Sequence, residues 1–254
     1  MLNATQLERQ HDAGPLSDEP HLAQFSICYK PRPGSALAAF GRSWFGRAND
    51  GTTRCAFSAP GLGGTTPGEI APTPDRYLGL HAPFFSPLRL REGARIEDVK
   101  ARLTSFAAHR KPIETGPLTL MRVRRSLVLR PAAPRPELDW LALQCFNAFD
   151  SFAAMFETAE DEQPHLSPYQ RLLLKSFGQP NVMSEYRFSM RLAGALDPRQ
   201  LDRLSQALAP VVDGICAEGV CVDGLSLVGT TSAAKNGQNL GTSTRLLGRY
   251  ALAG

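Results

Sequence analysis

The sequence predicts an α+β fold in two halves, on three observations. Two similar strand-like segments occur, Gly79-Leu80-His81-Ala82-Pro83-Phe84 and Arg187-Phe188-Ser189-Met190-Arg191-Leu192, and a duplicated segment suggests two lobes with a shared cleft. Strand and helix periodicities interleave along the chain, the pattern of small mixed sheets with helices packed on them. Pro131, Pro134 and Pro136 break the chain between the two segments and mark the boundary of the halves.

Residues 1–22 read as a flexible tail, because Gly14-Pro15 and Glu19-Pro20 interrupt any helix and little is apolar. Ala23 to Tyr29 alternates as a half-buried strand, ended by Pro31 and Pro33. Ser35 is placed to cap a helix to about Phe45, with Leu37, Phe40, Trp44 and Phe45 inward. Residues 49–74 are rich in Gly, Pro and Thr and read as a long loop or flap. No Gly-Lys-Ser/Thr or G-x-G-x-x-G makes it a phosphate cradle.

After the first motif strand, Ile96, Val99, Leu103 and Phe106 fall at helical spacing, with Glu97 and Asp98 in the first turn, where the dipole favours acids. Leu118–Val123 and Ser126–Arg130 form a hairpin around Arg124-Arg125. Glu137 to about Phe156 is amphipathic along Leu138, Leu141, Cys145, Phe149, Phe152 and Phe156. Ser167-Pro168 starts a helix that buries Leu172, Leu173, Leu174 and Phe177 and stops at Gly178 and Pro180. Tyr186–Leu192 is the second motif strand. Asp197-Pro198 opens a helix along Leu201, Leu204, Leu208 and Val211; Val220–Val228 is a strand, 229–243 a turn or loop, and Thr244–Leu252 the last strand.

A chain of 254 residues can bury a sizeable core. Its net charge of +4 suits a small anionic ligand without calling for nucleic acid. Five cysteines without Cys-x-x-Cys spacing suggest neither a disulfide framework nor a zinc site, and point to reduced thiols in a cytoplasmic protein. The start of the chain lacks the apolar run of a signal peptide, and no stretch is long and apolar enough to span a bilayer. No metal and no cofactor is expected.

The segment from Arg76-Tyr77-Leu78-Gly79-Leu80-His81-Ala82-Pro83 to Arg89-Leu90 resembles the pattern R-Y-G-F-H-A-T-L-K-x-P-F-R-L, with Leu78 as an extra residue. Leu166-Ser167-Pro168-Tyr169-Gln170-Arg171-Leu172-Leu173-Leu174 resembles L-T-P-R-Q-R-x-L-L, and Phe177-Gly178-Gln179-Pro180 resembles W-G-Y-P. Glu185 to Gly194 resembles E-F-R-F-H-M-T-L-T-G. These patterns belong to a phosphonate-metabolism-associated family of unknown function within the two-histidine (2H) phosphoesterase superfamily, and the agreement in order runs from about Phe25 to Tyr250. The resemblance implies a bilobal fold over residues 23–254, with lobes of about 23–133 and 134–254 that can exchange elements and pseudo-symmetric sheets around a central cleft. In working members paired histidines serve as acid and base on a phosphodiester while threonines hold the phosphate oxygens, the logic of an in-line displacement.

This chain departs from that pattern. His81 matches a catalytic histidine, but Pro83 stands for the threonine and Phe85 for the lysine; strand alternation puts these three on one face. Ser189 stands where the second histidine is expected and Arg191 where its threonine is, with Arg187 on the same face. Serine does not titrate near neutral pH and arginine stays protonated, so the acid/base pair is lost as a pair. What remains is His81 as a single catalytic acid or base, opposite a substrate-binding set of Arg187, Ser189 and Arg191, joined by Tyr77 beside the first motif.

Each residue also has a bland reading. His81 can be a relic bonded to a backbone carbonyl, Arg187 and Arg191 surface charges beside Glu185, and Ser189 a filler. Arg122, Arg124 and Arg125 can be a solvated edge that discourages strand pairing. Three functions therefore stand open. The first is a divergent enzyme acting on a small anionic or partly apolar metabolite through His81. The second is a non-catalytic accessory protein binding an anion or a protein partner. The third is a cyclic phosphodiesterase in which His165 or another group replaces the missing histidine.

Overall fold

The computed structural model describes residues 22–45, 78–154, 166–194, 196–235 and 238–254. The expected tail up to His21, the 49–74 loop, Tyr77 and His165 lie outside them. The architecture is α+β, as the sequence predicts. In chain order the elements are β1 (Leu22–Tyr29), α1 (Ala36–Phe45), β2 (Ala82–Leu88), α2 (Ile96–Ala108), β3 (Ile113–Glu114), β4 (Leu118–Val123), β5 (Ser126–Pro131) and α3 (Pro136–Phe149). They continue with α4 (Pro168–Phe177), β6 (Met190–Ala193), α5 (Pro198–Cys216), β7 (Cys221–Val222), β8 (Gly224–Lys235) and β9 (Gln238–Ala251).

The strands form one sheet in the order β2-β1-β8-β9, a second in the order β4-β5-β6, and a short β3-β7 pair. Each larger sheet takes strands from both sequence halves. A large apolar core, running from Phe25 in β1 to Leu252 after β9, packs between them and the helices.

β1 is buried on both faces rather than half-buried as its alternation suggested. Phe25, Ile27 and Tyr29 enter the main core, while Cys28 meets Leu78 and Val228 in a small second cluster. Burial pushes the Cys28 thiol up to about 12, so this cysteine stays protonated. α1 begins as predicted: Ser35 Oγ accepts the Ala38 N–H at 3.1 Å, and Leu37, Phe40, Trp44 and Phe45 are buried. Trp44 Nε1 donates to the Leu192 carbonyl at 2.8 Å, which ties the first helix to the second motif strand.

The first motif departs from a plain strand. β2 starts only at Ala82, after Gly79 takes a left-handed φ of 68°. Along β1, Ile27 faces Phe85 and Cys28 faces Pro83, so Phe84 is an extra residue in a bulge. The bulge breaks the expected common face of His81, Pro83 and Phe85. Phe85 is 1% exposed and stacks on Phe25 with ring centroids 5.4 Å apart, whereas Pro83 stays half-buried. β2 is also an edge strand, which is where a sheet tolerates proline.

Other boundaries shift for local reasons. α3 ends at Phe149 and passes into a short 3₁₀ turn, Asp150–Phe152, instead of running to Phe156. α4 has the predicted start and stop, a Ser167/Gln170 capping box and Gly178 at φ 68°, but Leu172 is exposed. Three consecutive leucines span too wide an arc of a helix for all to face one core. On α5 the inward residue is Val212, not Val211. The expected loop at 229–243 lies within the β8-β9 hairpin, where Thr230 and Thr244 face each other with their hydroxyls 3.2 Å apart. Polar β-branched residues are good strand formers, and the glycines around them disguised this.

Trp44→Phe removes the Leu192 hydrogen bond and leaves a void at a fully packed position. We expect a loss of about 1–3 kcal/mol in urea denaturation.

Candidate functional site

Burial alternates strictly through the second motif. Tyr186, Phe188, Met190 and Leu192 point inward, and Arg187, Ser189 and Arg191 point outward, although the hydrogen-bonded ladder begins only at Met190. Phe188 is held between Tyr29 and Phe84, with ring centroids 6.1 and 5.9 Å away, and Tyr186 stacks on Phe84 at 5.9 Å. Packing of the inner residues thus fixes the direction of the outer ones.

Those outer residues line a cleft of about 470 Å³. The β4-β5 hairpin contributes Arg124, Ser126, Val128 and Arg130, and β2 contributes Pro83, Phe84 and Ser86. The third wall is α4 and the segment after it, with Gln170, Gln179, Asn181 and Glu185. Val128 of β5 lies opposite Arg191 of β6 in the sheet, which brings the hairpin and the second motif together.

Four guanidinium groups, those of Arg124, Arg130, Arg187 and Arg191, share this cleft with one carboxylate, Glu185. The charges feel one another: burial pulls the Arg130 pKa below its ordinary value and the neighbouring Arg187 lowers it further. Arg187 is anchored by Nη1 donating to the Ser184 carbonyl at 2.8 Å and to the Tyr186 carbonyl. Asp139 is raised by burial, opposed by the Arg187 charge.

The polar atoms of the inner wall are oriented by the protein. Gln179 is 2% exposed; its Oε1 accepts the Ser86 N–H at 3.1 Å, and its Nε2 has no hydrogen-bond partner among the described residues. The Tyr186 hydroxyl and Arg130 Nε are likewise buried without a partner. Burial, with the neighbouring Cys145 and Asp139 adding to it, raises the Tyr186 phenol well above its usual range, so it keeps its proton. Gln170 Oε1 accepts the Ser167 N–H at 3.1 Å and its Nε2 donates to Asn181 Oδ1 at 3.3 Å. The side-chain amide oxygens of the three lining residues Gln170, Gln179 and Asn181 are therefore engaged by protein donors.

His81 is half-buried just before β2, and its Nδ1 lies 2.8 Å from the Gly79 carbonyl. A carbonyl only accepts, so Nδ1 carries the hydrogen. His81 is not among the residues lining this cleft; Pro83, two residues on, is. The structure therefore brings Arg187, Ser189 and Arg191 together and sets His81 apart from them, while Tyr77 lies outside the described residues. Among the described residues no three His, Cys, Asp or Glu side chains gather as a metal cage, and no helix is long and apolar enough to cross a membrane.

Sequence reasoning missed Arg124, Arg130, Gln179 and Tyr186. The basic hairpin run resolves residue by residue: Arg122 pairs with Asp202, Arg125 Nε donates to the Leu196 carbonyl at 3.2 Å, and Arg124 faces the cleft. Strand alternation from Val128 to Arg130 was the available signal for the last of the hairpin arginines.

Residues 80–236 match the family described as protein of unknown function (DUF1045). The chain belongs to that family. The DUF1045 match spans every residue lining the cleft, from Pro83 to Arg191. The ribose 1,5-bisphosphate phosphokinase PhnN of Janthinobacterium sp. (strain Marseille) is 28% identical over 179 residues, which are 69% of this chain and 39% of that protein. The chain thus spans well under half the length of that relative. Among solved structures, a phosphoesterase crystal structure is similar at 15% identity and a TM-score of 0.41, over 91% of this chain and 99% of that one. E. coli LigT complexed with NADP+ is similar at 14% identity and a TM-score of 0.42, over 92% and 100%.

Arg124 sits in the two-residue turn at φ 55°, a left-handed conformation that costs a side-chain-bearing residue about 1 kcal/mol. Arg124→Gly should relieve it. Chemical denaturation is expected to show a gain of about 0.5–1 kcal/mol, and a loss would mean that the arginine side chain itself holds the turn.

Proposed function

We propose that this chain is a divergent 2H phosphoesterase-like protein, bilobal around the arginine-lined cleft, that has lost paired-histidine phosphodiesterase chemistry and binds a small anionic metabolite there. The carrying observation is the gathering of Arg187, Ser189 and Arg191, the residues of the second degenerate motif, with Arg124 and Arg130 on one cleft. Guanidinium groups are suited to bidentate contact with phosphate, phosphonate or carboxylate oxygens. Four of them on one cleft favour an anion through their summed charge.

A phosphate- or phosphonate-bearing ligand is favoured. The resemblance to a phosphonate-associated family and the name of the PhnN relative, a phosphokinase of a sugar bisphosphate, both support that chemistry. Pro83, Phe84 and Val128 give the same cleft an apolar side, which suits a ligand with a short carbon skeleton.

The hydrogen bond that orients His81 favours a second reading, in which the protein turns its ligand over with one histidine. With Nδ1–H donating to the Gly79 carbonyl, Nε2 is the ring atom at which a proton would move. This is the role of His81 if the chain is an enzyme; without it the chain is an accessory binding protein.

Thermal melting of wild type and Arg191→Ala, with inorganic phosphate, phosphosugars, cyclic phosphates, phenylphosphonate and benzoate, tests the binding reading. We expect at least one anion to raise the melting temperature, and Arg191→Ala to weaken its binding about tenfold or more. No shift with any of them would contradict an anion site. Turnover of the same phosphoesters that persists undiminished in His81→Ala would dismiss the single-histidine reading.

A further inference from the structure

We infer that the cleft is built for a small ligand with two separated anionic groups, one held at Arg124 and Arg191 and the other at Arg130 and Arg187, with a short carbon skeleton between them. The inference rests on the cleft being an anion site and names the class of ligand that site takes.

The order of the four arginines along the cleft carries it. β5 and β6 run antiparallel with Val128 opposite Arg191, so residues after Val128 and residues before Arg191 lie in the same direction. Arg130, two residues after Val128, and Arg187, four before Arg191, therefore fall on one side of that pair. Arg124, four residues before Val128 in the β4-β5 turn, falls on the other. All four line the cleft together with Val128 and Ser189, whereas Leu127, Leu129, Phe188 and Met190 join the core, so the arginines belong to one face.

The two ends are kept apart. Arg187 donates through Nη1 to the Ser184 and Tyr186 carbonyls, which draws its head group away from Arg191. It is also the charge that lowers the Arg130 pKa, so those two guanidinium groups sit together. In an extended chain, side chains on one face repeat about every 7 Å, which sets the backbone positions of Arg191 and Arg187 roughly 13 Å apart. One oxyanion group is too small to meet both, while two groups on a short chain reach from end to end. A cleft of about 470 Å³ has room for a ligand of that size.

The ends differ in strength. Glu185, the lining carboxylate, lies two residues beyond Arg187, and Asp139 of α3 also feels the Arg187 charge. Both acids offset the charge of Arg130 and Arg187, so the end at Arg124 and Arg191 holds its anion more tightly.

Calorimetry at pH 7.5 with pentane-1,5-bisphosphonate, methylenebisphosphonate and propylphosphonate tests this. The two bisphosphonates carry the same groups at different spacings. The pentane compound should bind about a hundredfold tighter than propylphosphonate, because its second contact is intramolecular, and about tenfold tighter than methylenebisphosphonate. Arg191→Ala and Arg187→Ala should each weaken it about tenfold. Propylphosphonate settles at the stronger end, so only Arg191→Ala should weaken that ligand. Arg122→Ala, which removes a positive charge paired with Asp202 away from the cleft lining, should change none of them by more than about twofold.

If methylenebisphosphonate binds as tightly as the pentane compound, or if Arg187→Ala leaves both unchanged, the two-ended ligand is wrong and a single anion site stands. If wild type binds none of the three, the two-ended reading and the anion cleft fall together.

Discussion

Burial of Phe188, Met190 and Leu192 is the constraint on which the site depends. Phe188 is clasped by Tyr29 and Phe84, and the Leu192 carbonyl takes the Trp44 indole hydrogen, so one strand is pinned from β1, β2 and α1 at once. Because an extended chain sends neighbouring side chains to opposite faces, this inward packing places Arg187, Ser189 and Arg191 outward. The bulge at Phe84 supplies the other half of the arrangement. It sends Phe85 into the core and lets Phe84 pack on both Phe188 and Tyr186, while Pro83 and Ser86 remain on the cleft.

The cleft is costly to the free protein, and the cost is informative. Arg124 is held at a positive φ, Arg130 is pulled down by burial and a neighbouring guanidinium, and three buried polar atoms of lining residues lie without partners among the described residues. Features of this kind gather where a ligand completes them, since a structural site would normally satisfy its own polar atoms. His81 contrasts with them: its Nδ1 is satisfied locally at Gly79, and the residue lies off the arginine cleft. The lining of the cleft is thus dominated by guanidinium groups, and His81 is not part of it.

Much of this was legible in the residues. The caps at Ser35, Ser167 and Asp197, the stop at Gly178 and the hairpin at Arg124-Arg125 follow from local chemistry, and the structure has them where that chemistry puts them. The alternation of the second motif was enough to group Arg187, Ser189 and Arg191 on one face. The bulge was not legible, because it depends on how β2 registers against β1, and so the shared face of His81, Pro83 and Phe85 failed. Nor was the role of Gln179, whose amide is oriented by a backbone N–H from a distant strand. β8 and β9 were read too short because small and polar residues imitate a loop when their pairing strand is unknown.

The claim at the centre of this account is that the arginine-lined cleft binds a small phosphorus oxyanion. ³¹P NMR of phenyl phosphate titrated with the wild type and with Arg191→Ala at pH 7.5 observes that group directly. The wild type should shift or broaden the resonance, and Arg191→Ala should bind about tenfold more weakly. An unperturbed signal with the wild type, or an equal response with the variant, would contradict it.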